Sequence, residues 1–470
     1  MNKIKQAMKS LEEGKLIAEK CPHRPEFHFL APAYWMNDPN GPIFYKGEYH
    51  IYYQHNPYSA IHGSIYWGHA KSKDLIHWEH LLIALSPNED EYGCWSGCCV
   101  NNDGIPTIFY TSVGPNKLPE SGAEQWLATS HDDMNTWDKH PKNPIMTLDL
   151  HESLDVRDWR DPYVWKEDDS WYMVLGGHIY EARREKTRKT PRGVVLLYKS
   201  LDLIEWKFIS PLCKGERING RNWECPNFFP LGDKYILIVS PHKEVIYNIG
   251  SYNNHLFEPS EWKILDHGRS FYAPNTMFDD NGRLLLWGWI RGGGTGGWDG
   301  CLSLPRVLSL DSDGNLRFEP ASELKILRES HVHLENLIIN PDSKDLLGRF
   351  PNMRLEIITK FELINAEFFG FKLFQSADKQ IGELIEFNTR DYIIRAGKEK
   401  GKLSSLKGEK QLSFHIFIDK SVVEIFINNR ECLTSRIYPE IETCNGFDIY
   451  AMNGEVRLKS LDLWTIKSIW

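Results

Sequence analysis

Three acidic residues, Asp38, Asp161 and Glu224, stand in short constrained contexts: Trp35-Met-Asn-Asp-Pro-Asn-Gly, Arg160-Asp-Pro and Asn222-Trp-Glu-Cys-Pro. Paired carboxyl groups suit retaining glycoside hydrolysis, in which one carboxylate attacks the sugar and a second, as the acid, protonates the leaving oxygen. The rigid turn around Asp38 suits a nucleophile kept ionised by neighbouring amide donors. Glu224 lies between an aromatic and a thiol, where partial desolvation is expected to raise its pKa toward that of a general acid. Asp161 follows Arg160, whose cation is expected to keep it ionised for hydroxyl binding and for stabilising an oxocarbenium-like state. The competing reading is that these acids only begin strands, where turn-forming Asp and Pro are common.

The elements that must position these residues are repeats. A phrase of a small or acidic residue, an apolar strand, a turn and a second apolar strand starts near Asp38, Gly97, Asp161, Glu224 and Ala273, at spacings of 49 to 64 residues. Lys-Gly, Asn-Asp-Gly, Gly-Asp and Asp-Asn-Gly supply the positive-φ residues of short hairpins. A second phrase runs Ser72-Lys-Asp-Leu-Ile-His-Trp78, Ser130-His-Asp-Asp-Met-Asn-Thr-Trp137 and Ser200-Leu-Asp-Leu-Ile-Glu-Trp206, with a worn copy ending at Trp262. A repeat of this length holds about four short strands, one blade of a β-propeller. The chain is therefore expected to be all-β, with an N-terminal five-bladed β-propeller. The first strands would line one axis and bring the three acids together at equivalent positions.

The character changes after Pro320. Ala321–Ser330 reads as a short helix and Leu334–Arg349 as a connecting segment, while alternating strands from Met353 onward predict a C-terminal β-sandwich without a catalytic constellation of its own. The boundaries expected are residues 1–22, a helical extension; 23–320, the propeller; 321–350, helix and linker; and 351–470, the sandwich. In the extension, Ile4, Met8, Leu11 and Ile17 mark the apolar face of an amphipathic helix.

Composition narrows the alternatives. The 470 residues carry 55 basic and 64 acidic side chains, a net charge of −9. No basic cluster offers a phosphate-backbone footprint, so a nucleic-acid partner is not expected. The longest apolar run, Leu284–Ile290, falls far short of the ~20 residues of a membrane span, and the first residues lack the apolar stretch of a signal peptide. Nine cysteines without CxxC spacing read as buried free thiols in a reducing compartment, hence the cytoplasm. The basic run Arg183–Arg192 reads as a solvated loop, with binding of an anionic substituent such as a sugar phosphate as the other option.

Trp-Met-Asn-Asp-Pro-Asn-Gly (35–41), Trp-Gly-His (67–69), Trp-Ser-Gly (95–97), Arg-Asp-Pro (160–162), Trp-Glu-Cys-Pro (223–226) and Tyr-Ala-Pro (272–274) occur in order. Together they resemble glycoside hydrolase family 32, the β-fructofuranosidases. The resemblance implies a retaining enzyme without metal or cofactor that releases fructose from sucrose, sucrose-6-phosphate or short fructo-oligosaccharides, as a monomer or homodimer. It implies Asp38 as nucleophile, Glu224 as acid/base and Asp161 as transition-state stabiliser, with the two catalytic carboxyls about 5–5.5 Å apart. Asn37, Gln54, Trp67, Ser96, Arg160 and Tyr272 match positions that line the fructose pocket, and Asp-x-Ser-x-x-Glu-x-Phe at 419–426 matches a structural signature of the sandwich. His62, Asn227 and Asn275 depart from the family pattern where pocket shape or sugar contacts would change. Alternatives are a propeller hydrolase of arabinan or xylan type and a fructan-binding propeller without catalysis.

Overall fold

In the computed structural model, residues 3–114, 122–151, 154–181, 190–293, 296–439 and 444–470 are described. Each repeated phrase becomes the opening strand of a group of antiparallel strands: Tyr34–Tyr45, Gly93–Asn102, Val156–Glu167, Glu224–Leu231 and Phe271–Phe278. These five strands pack side by side in chain order, and the fifth returns to the first. The ring closes through hydrogen bonds as well. Trp298–Leu302 pairs in parallel with the first opening strand, Tyr34 opposite Trp298 and Trp35 opposite Asp299, so the first and fifth groups form one nine-stranded sheet.

Every opening strand is interrupted at the same stage. Two residues face one on the neighbouring strand between Met36 and Pro39, Cys94 and Gly97, Arg160 and Tyr163, Glu224 and Asn227, and Tyr272 and Asn275. Such bulges leave a ladder position unpaired and re-aim the side chains beside it. That explains the prolines at 162, 226 and 274, which have no N–H to lose. In the second strand Gly97 follows the bulge, and a Cβ there would stand 1.9 Å from the Phe109 carbonyl oxygen.

The tryptophan phrases form the turn before the outermost strand. Asp74 Oδ1 accepts from the backbone N–H groups of Ile76 and His77, and Asp202 Oδ1 accepts likewise from Ile204 and Glu205. The Trp78 and Trp206 indoles then donate to the carbonyls of Leu75 and Leu203 at 3.0 and 2.9 Å. The worn copy differs: Asn254 and His255, both at positive φ, turn a hairpin between Ile246–Asn253 and Leu256–Pro259.

Two six-stranded sheets make up the C-terminal part and enclose a core that includes Phe361, Phe369, Phe371, Phe387 and Phe414. The junction corrects the sequence expectation. Only Ser322–Leu327 is helical, as a 3-10 turn, and Arg328–Ile339 is a strand along the edge of one sheet, paired with Val456–Ile466. Its inward face, Val332, Leu334, Leu337 and Ile339, packs on the core, but Asn336 at positive φ breaks the alternation and the first four residues are polar or charged, so the long-range ladder supplies its order. The N-terminal helix, Lys3–Ala18, buries Ala7, Leu11, Gly14 and Ala18, whereas Ile17 is exposed. Small residues are needed there because the Tyr34 ring lies against Gly14. No helix among the described residues is long and apolar enough to cross a membrane.

A fully buried polar network ties the two parts together. Asp419 accepts from the backbone N–H groups of Glu26, Phe27 and His28 and lies 2.8 Å from His28 Nδ1. Glu424 lies 3.0 Å from His28 Nε2 and accepts from Leu304 N–H and Arg306. Arg306 also pairs with Asp266 at 2.9 Å. Removing one partner from such a buried group strands the others without solvent. Glu424→Gln should therefore cost about 3–5 kcal/mol in a urea unfolding experiment; an unchanged midpoint would show that the network does not hold the two parts together.

Candidate active site

The bulges bring the predicted acids to one end of the ring. Asp38 Oδ2 accepts from Ser96 Oγ at 2.6 Å and from Gln54 Nε2 at 3.2 Å, and Asp38 Oδ1 accepts from Asn37 Nδ2 at 3.1 Å. The Cys225 thiol lies 3.5 Å from Asp38 Oδ2 and 3.5 Å from Asp161 Oδ2. Asp161 further accepts from Cys225 N–H at 2.9 Å, and its own N–H donates to Thr111 Oγ1. Asp161 and Cys225 both adopt positive φ, 64° and 47°.

Glu224 belongs to a second row. The register of the third, fourth and fifth opening strands aligns Glu224 with Arg160 and Tyr272, and Asp161 with Cys225 and Ala273. The three acids are thus not at equivalent positions, as the repeated phrases suggest: Glu224 stands just before its bulge, Asp161 is the first residue of its bulge and Asp38 the second. The contacts of Glu224 follow from that offset. Arg160 pairs with Glu224 Oε1 and with Asp158, the Tyr272 hydroxyl donates to Glu224 Oε2 at 2.6 Å, and His242 Nε2 lies 3.0 Å from Glu224 Oε1.

Aromatic groups surround this polar cluster. Trp35 donates to Asn37 Oδ1 at 2.7 Å and stands edge-on to Trp289, with ring centroids 5.5 Å apart. Arg160 lies over the Trp95 ring, and Arg291 lies over Tyr272 at 4.0 Å. His62, exposed in the loop between the strands Glu48–Asn56 and Tyr66–Ser72, sits edge-on to both Trp35 and Trp95. A separate apolar-walled cavity of about 330 Å3 lies at the other end of the ring, where the opening strands finish, and contains none of the three acids.

Residues 28–320 match the description "Glycosyl hydrolases family 32 N-terminal domain" and residues 323–465 match "Glycosyl hydrolases family 32 C terminal". The chain belongs to glycosyl hydrolase family 32. This family 32 chain is 33% identical to a sucrose-6-phosphate hydrolase of Zymomonas mobilis, over 94% of its own length and 92% of the relative's. It is 32% identical to a raffinose invertase of Escherichia coli, over 94% and 95% of the two chains. Among solved structures, fructan 1-exohydrolase IIa from Cichorium intybus superposes with a TM-score of 0.82 at 27% identity, covering 95% of this chain and 98% of that one.

Not every residue expected in the sugar pocket of the family 32 chain faces it. Trp67 is fully buried and donates to the Trp95 carbonyl at 3.0 Å, so it braces Trp95 from behind. Asn227 is also spent inside: its amide donates to the carbonyls of Cys225 and Pro274 and accepts from Thr276. Asn275 donates to the Gly97 carbonyl at 3.0 Å. Both asparagines therefore cross-link opening strands. Conversely, Trp95, Trp289, Arg291, Asp158 and His242 stand at the cluster without having been singled out as site residues. Trp95 was within reach of a motif reading through Trp-Ser-Gly, while His242 and Arg291 lie in segments with no such pattern.

The electrostatics reverse all three sequence expectations. Burial raises the Asp38 pKa, aided by the charge of Glu224, and outweighs the donors Ser96 and Asn37. Burial also lifts Asp161 to about 7 against the opposing Arg160 cation, with the charges of Glu224 and Asp38 adding to the rise. Burial would raise Glu224 as well, but Arg160, His242 and Tyr272 hold it down to about 2. The single guanidinium of Arg160 cannot compensate three carboxylates, and it goes to the nearest. Asp158, Glu224 and His242 bring possible metal ligands within 4.8 Å of one another, yet Arg160 already occupies the cation's place between Asp158 and Glu224.

Asp161 keeps its proton to a higher pH when folded, about 7 against 3.8, so the folded state binds more protons across that interval and loses stability as pH rises through it. Asp161→Asn removes the ionisation. It should be more stable than the parent by about 2–4 kcal/mol at pH 8, with the gain vanishing near pH 4. Thermal unfolding at the two pH values tests this, and a variant less stable than the parent at pH 8 would contradict it.

Proposed function

We propose that the chain is a retaining β-fructofuranosidase in which Asp38 is the nucleophile, Glu224 the acid/base and Asp161 the stabiliser of the transition state. The protein is a fructosyl-cleaving glycoside hydrolase, and this reading assigns its residues. The ring of five bulged strands supports a five-bladed propeller at 23–320, and the paired six-stranded sheets support a sandwich at 351–470. Eight buried cysteines, none in a disulfide, support a reducing compartment, the cytoplasm.

One observation carries the assignment: Asp38 and Asp161 share the Cys225 thiol, while Glu224, one residue earlier on that strand, is turned toward Arg160 and Tyr272. Two carboxyls close enough for the charge of Glu224 to act on Asp38 can flank one glycosidic bond. Asp38 attacks the anomeric carbon of the fructosyl unit as the bond to the leaving oxygen breaks, and Glu224 delivers a proton to that oxygen. Water then attacks the same carbon, Glu224 takes the water's proton, and Asp38 leaves. Ser96, Gln54 and Asn37 orient the nucleophile through their hydrogen bonds to it. Asp161 is placed to hold ring hydroxyls and to offset the positive charge that develops at the anomeric carbon.

Glu224 is ionised in the empty site and must be protonated to act as the acid. A substrate whose leaving group displaces His242 from Glu224 removes one of the three groups that depress its pKa, so binding itself prepares the acid.

Fructose release from sucrose, sucrose-6-phosphate, raffinose, inulin and levan is the direct test. Asp38→Asn should abolish release on the whole panel. Glu224→Gln should still bind substrate but lose turnover by about 10²–10⁴-fold. Near-parental rates in either variant would overturn the assignment.

A further inference from the structure

We propose that His331, His333 and Asp462 bind a divalent zinc ion, which clips the edge strand Arg328–Ile339 to its partner Val456–Ile466. The site lies on the C-terminal sheets and takes no part in the chemistry at Asp38 and Glu224. His331 and His333 alternate with the inward Val332 and Leu334, so both imidazoles leave the solvent face of the strand. The register sets His333 opposite Asp462 and His331 opposite Trp464, so Asp462 faces one histidine directly and the other diagonally. Diagonal neighbours across an antiparallel pair stand about 7–8 Å apart, against about 5 Å for direct ones. The two rings answer that difference. His333 turns its near nitrogen, Nδ1, and His331 its far nitrogen, Nε2, each to 2.8 Å from the same oxygen, Asp462 Oδ1.

The three donor atoms lie within 4.8 Å of one another. Two imidazole nitrogens and a carboxylate oxygen are a donor set suited to zinc, and three protein ligands leave the fourth tetrahedral position to water. Ligands about 2.0–2.2 Å from a tetrahedral zinc stand about 3.3 Å from each other, a spacing that a small rotation of the partly exposed Asp462 supplies. Two further contacts hold the rings in place. His331 lies flat on Trp464, with centroids 4.8 Å apart and planes 9° from parallel. His333 Nε2, the nitrogen turned away from Asp462, lies 3.7 Å from Glu335 Oε2. A carboxylate behind the ring is the usual partner of a metal-ligating histidine, because it fixes the tautomer.

Two other charged groupings differ. In the cluster of Asp158, Glu224 and His242 the guanidinium of Arg160 already stands between the acids, whereas Asp462 makes no ion pair with a lysine or arginine among the described residues. Most of the basic run Arg183–Arg192 lies outside the described residues, and its last member, Arg192, donates to the Gly215 carbonyl at 3.0 Å.

The ion would act where the fold is locally weakest in sequence terms. Arg328–Ile339 begins with polar residues and loses its alternation at Asn336. Exposed imidazole–carboxylate pairs add little to stability in water. An ion with ligands on both strands is held only while they are paired, so its binding free energy becomes free energy of strand pairing.

The test titrates Zn2+ alone into the chelator-treated full chain by calorimetry. The parent should bind one ion at this site. H331Q/H333Q and D462N should each weaken it by more than about 100-fold, and E335Q by about tenfold, as expected for a supporting partner. Asp462→Asn is nearly isosteric, and unchanged near-ultraviolet circular dichroism shows that the variants fold. Amide hydrogen exchange across 328–339 should slow by about 100-fold in the parent at a zinc concentration about 100 times Kd, and stay unchanged in H331Q/H333Q. A parent that binds no ion, an affinity unmoved in H331Q/H333Q, or binding without slower exchange would each overturn the proposal.

Discussion

Five strands that crowd one ring cannot all keep an unbroken ladder and also present polar groups to the same small space. The bulge in each opening strand resolves this conflict. It leaves one ladder position unpaired, tolerates a proline there, and turns successive side chains of a single strand toward the shared end of the ring. Asp161 and Cys225 occupy strained positive-φ positions as a result, and the surrounding ladders hold them there. Every contact of the site, from Ser96 on Asp38 to Tyr272 on Glu224, depends on these interruptions falling at matching stages of different strands.

Charge is the second constraint. Three carboxyls in a buried cluster repel one another, and one buried guanidinium can favour only some of them. Arg160 is held between Asp158 and Glu224 and lies over Trp95, so its benefit falls mainly on Glu224. The other two carboxyls bear the cost of burial and of each other. His242 lies 3.0 Å from Glu224 and also lines a cavity on the far side of it.

The C-terminal sheets contribute no group to this cluster among the contacts described above. Their Asp419 and Glu424 instead reach the segment Glu26–His28 and Arg306, on either side of the strands that close the ring. Because these charges have no water to return to, the network fixes one docking geometry rather than a range of them. The signature at 419–426 is thus a joint between two parts of the fold, and it lies in sequence far from both segments it holds.

Local chemistry along the chain was sufficient to reveal the acids, the repeated strand-turn-strand phrases, the Asp-and-Trp turns and the alternating strands of the C-terminal half. Each of these is a short-range pattern, set by backbone preference or by side-chain alternation. The tertiary structure decided what depends on pairing between distant segments. It set Glu224 one residue out of step with Asp161, because register is a property of two strands and not of one. It turned Trp67, Asn227 and Asn275 inward as braces, made Arg328–Ile339 a strand through a partner more than a hundred residues away, and brought His242 to Glu224. It also reversed the pKa order of the three carboxyls, since burial and the distance to a single cation exist only once the chain has closed.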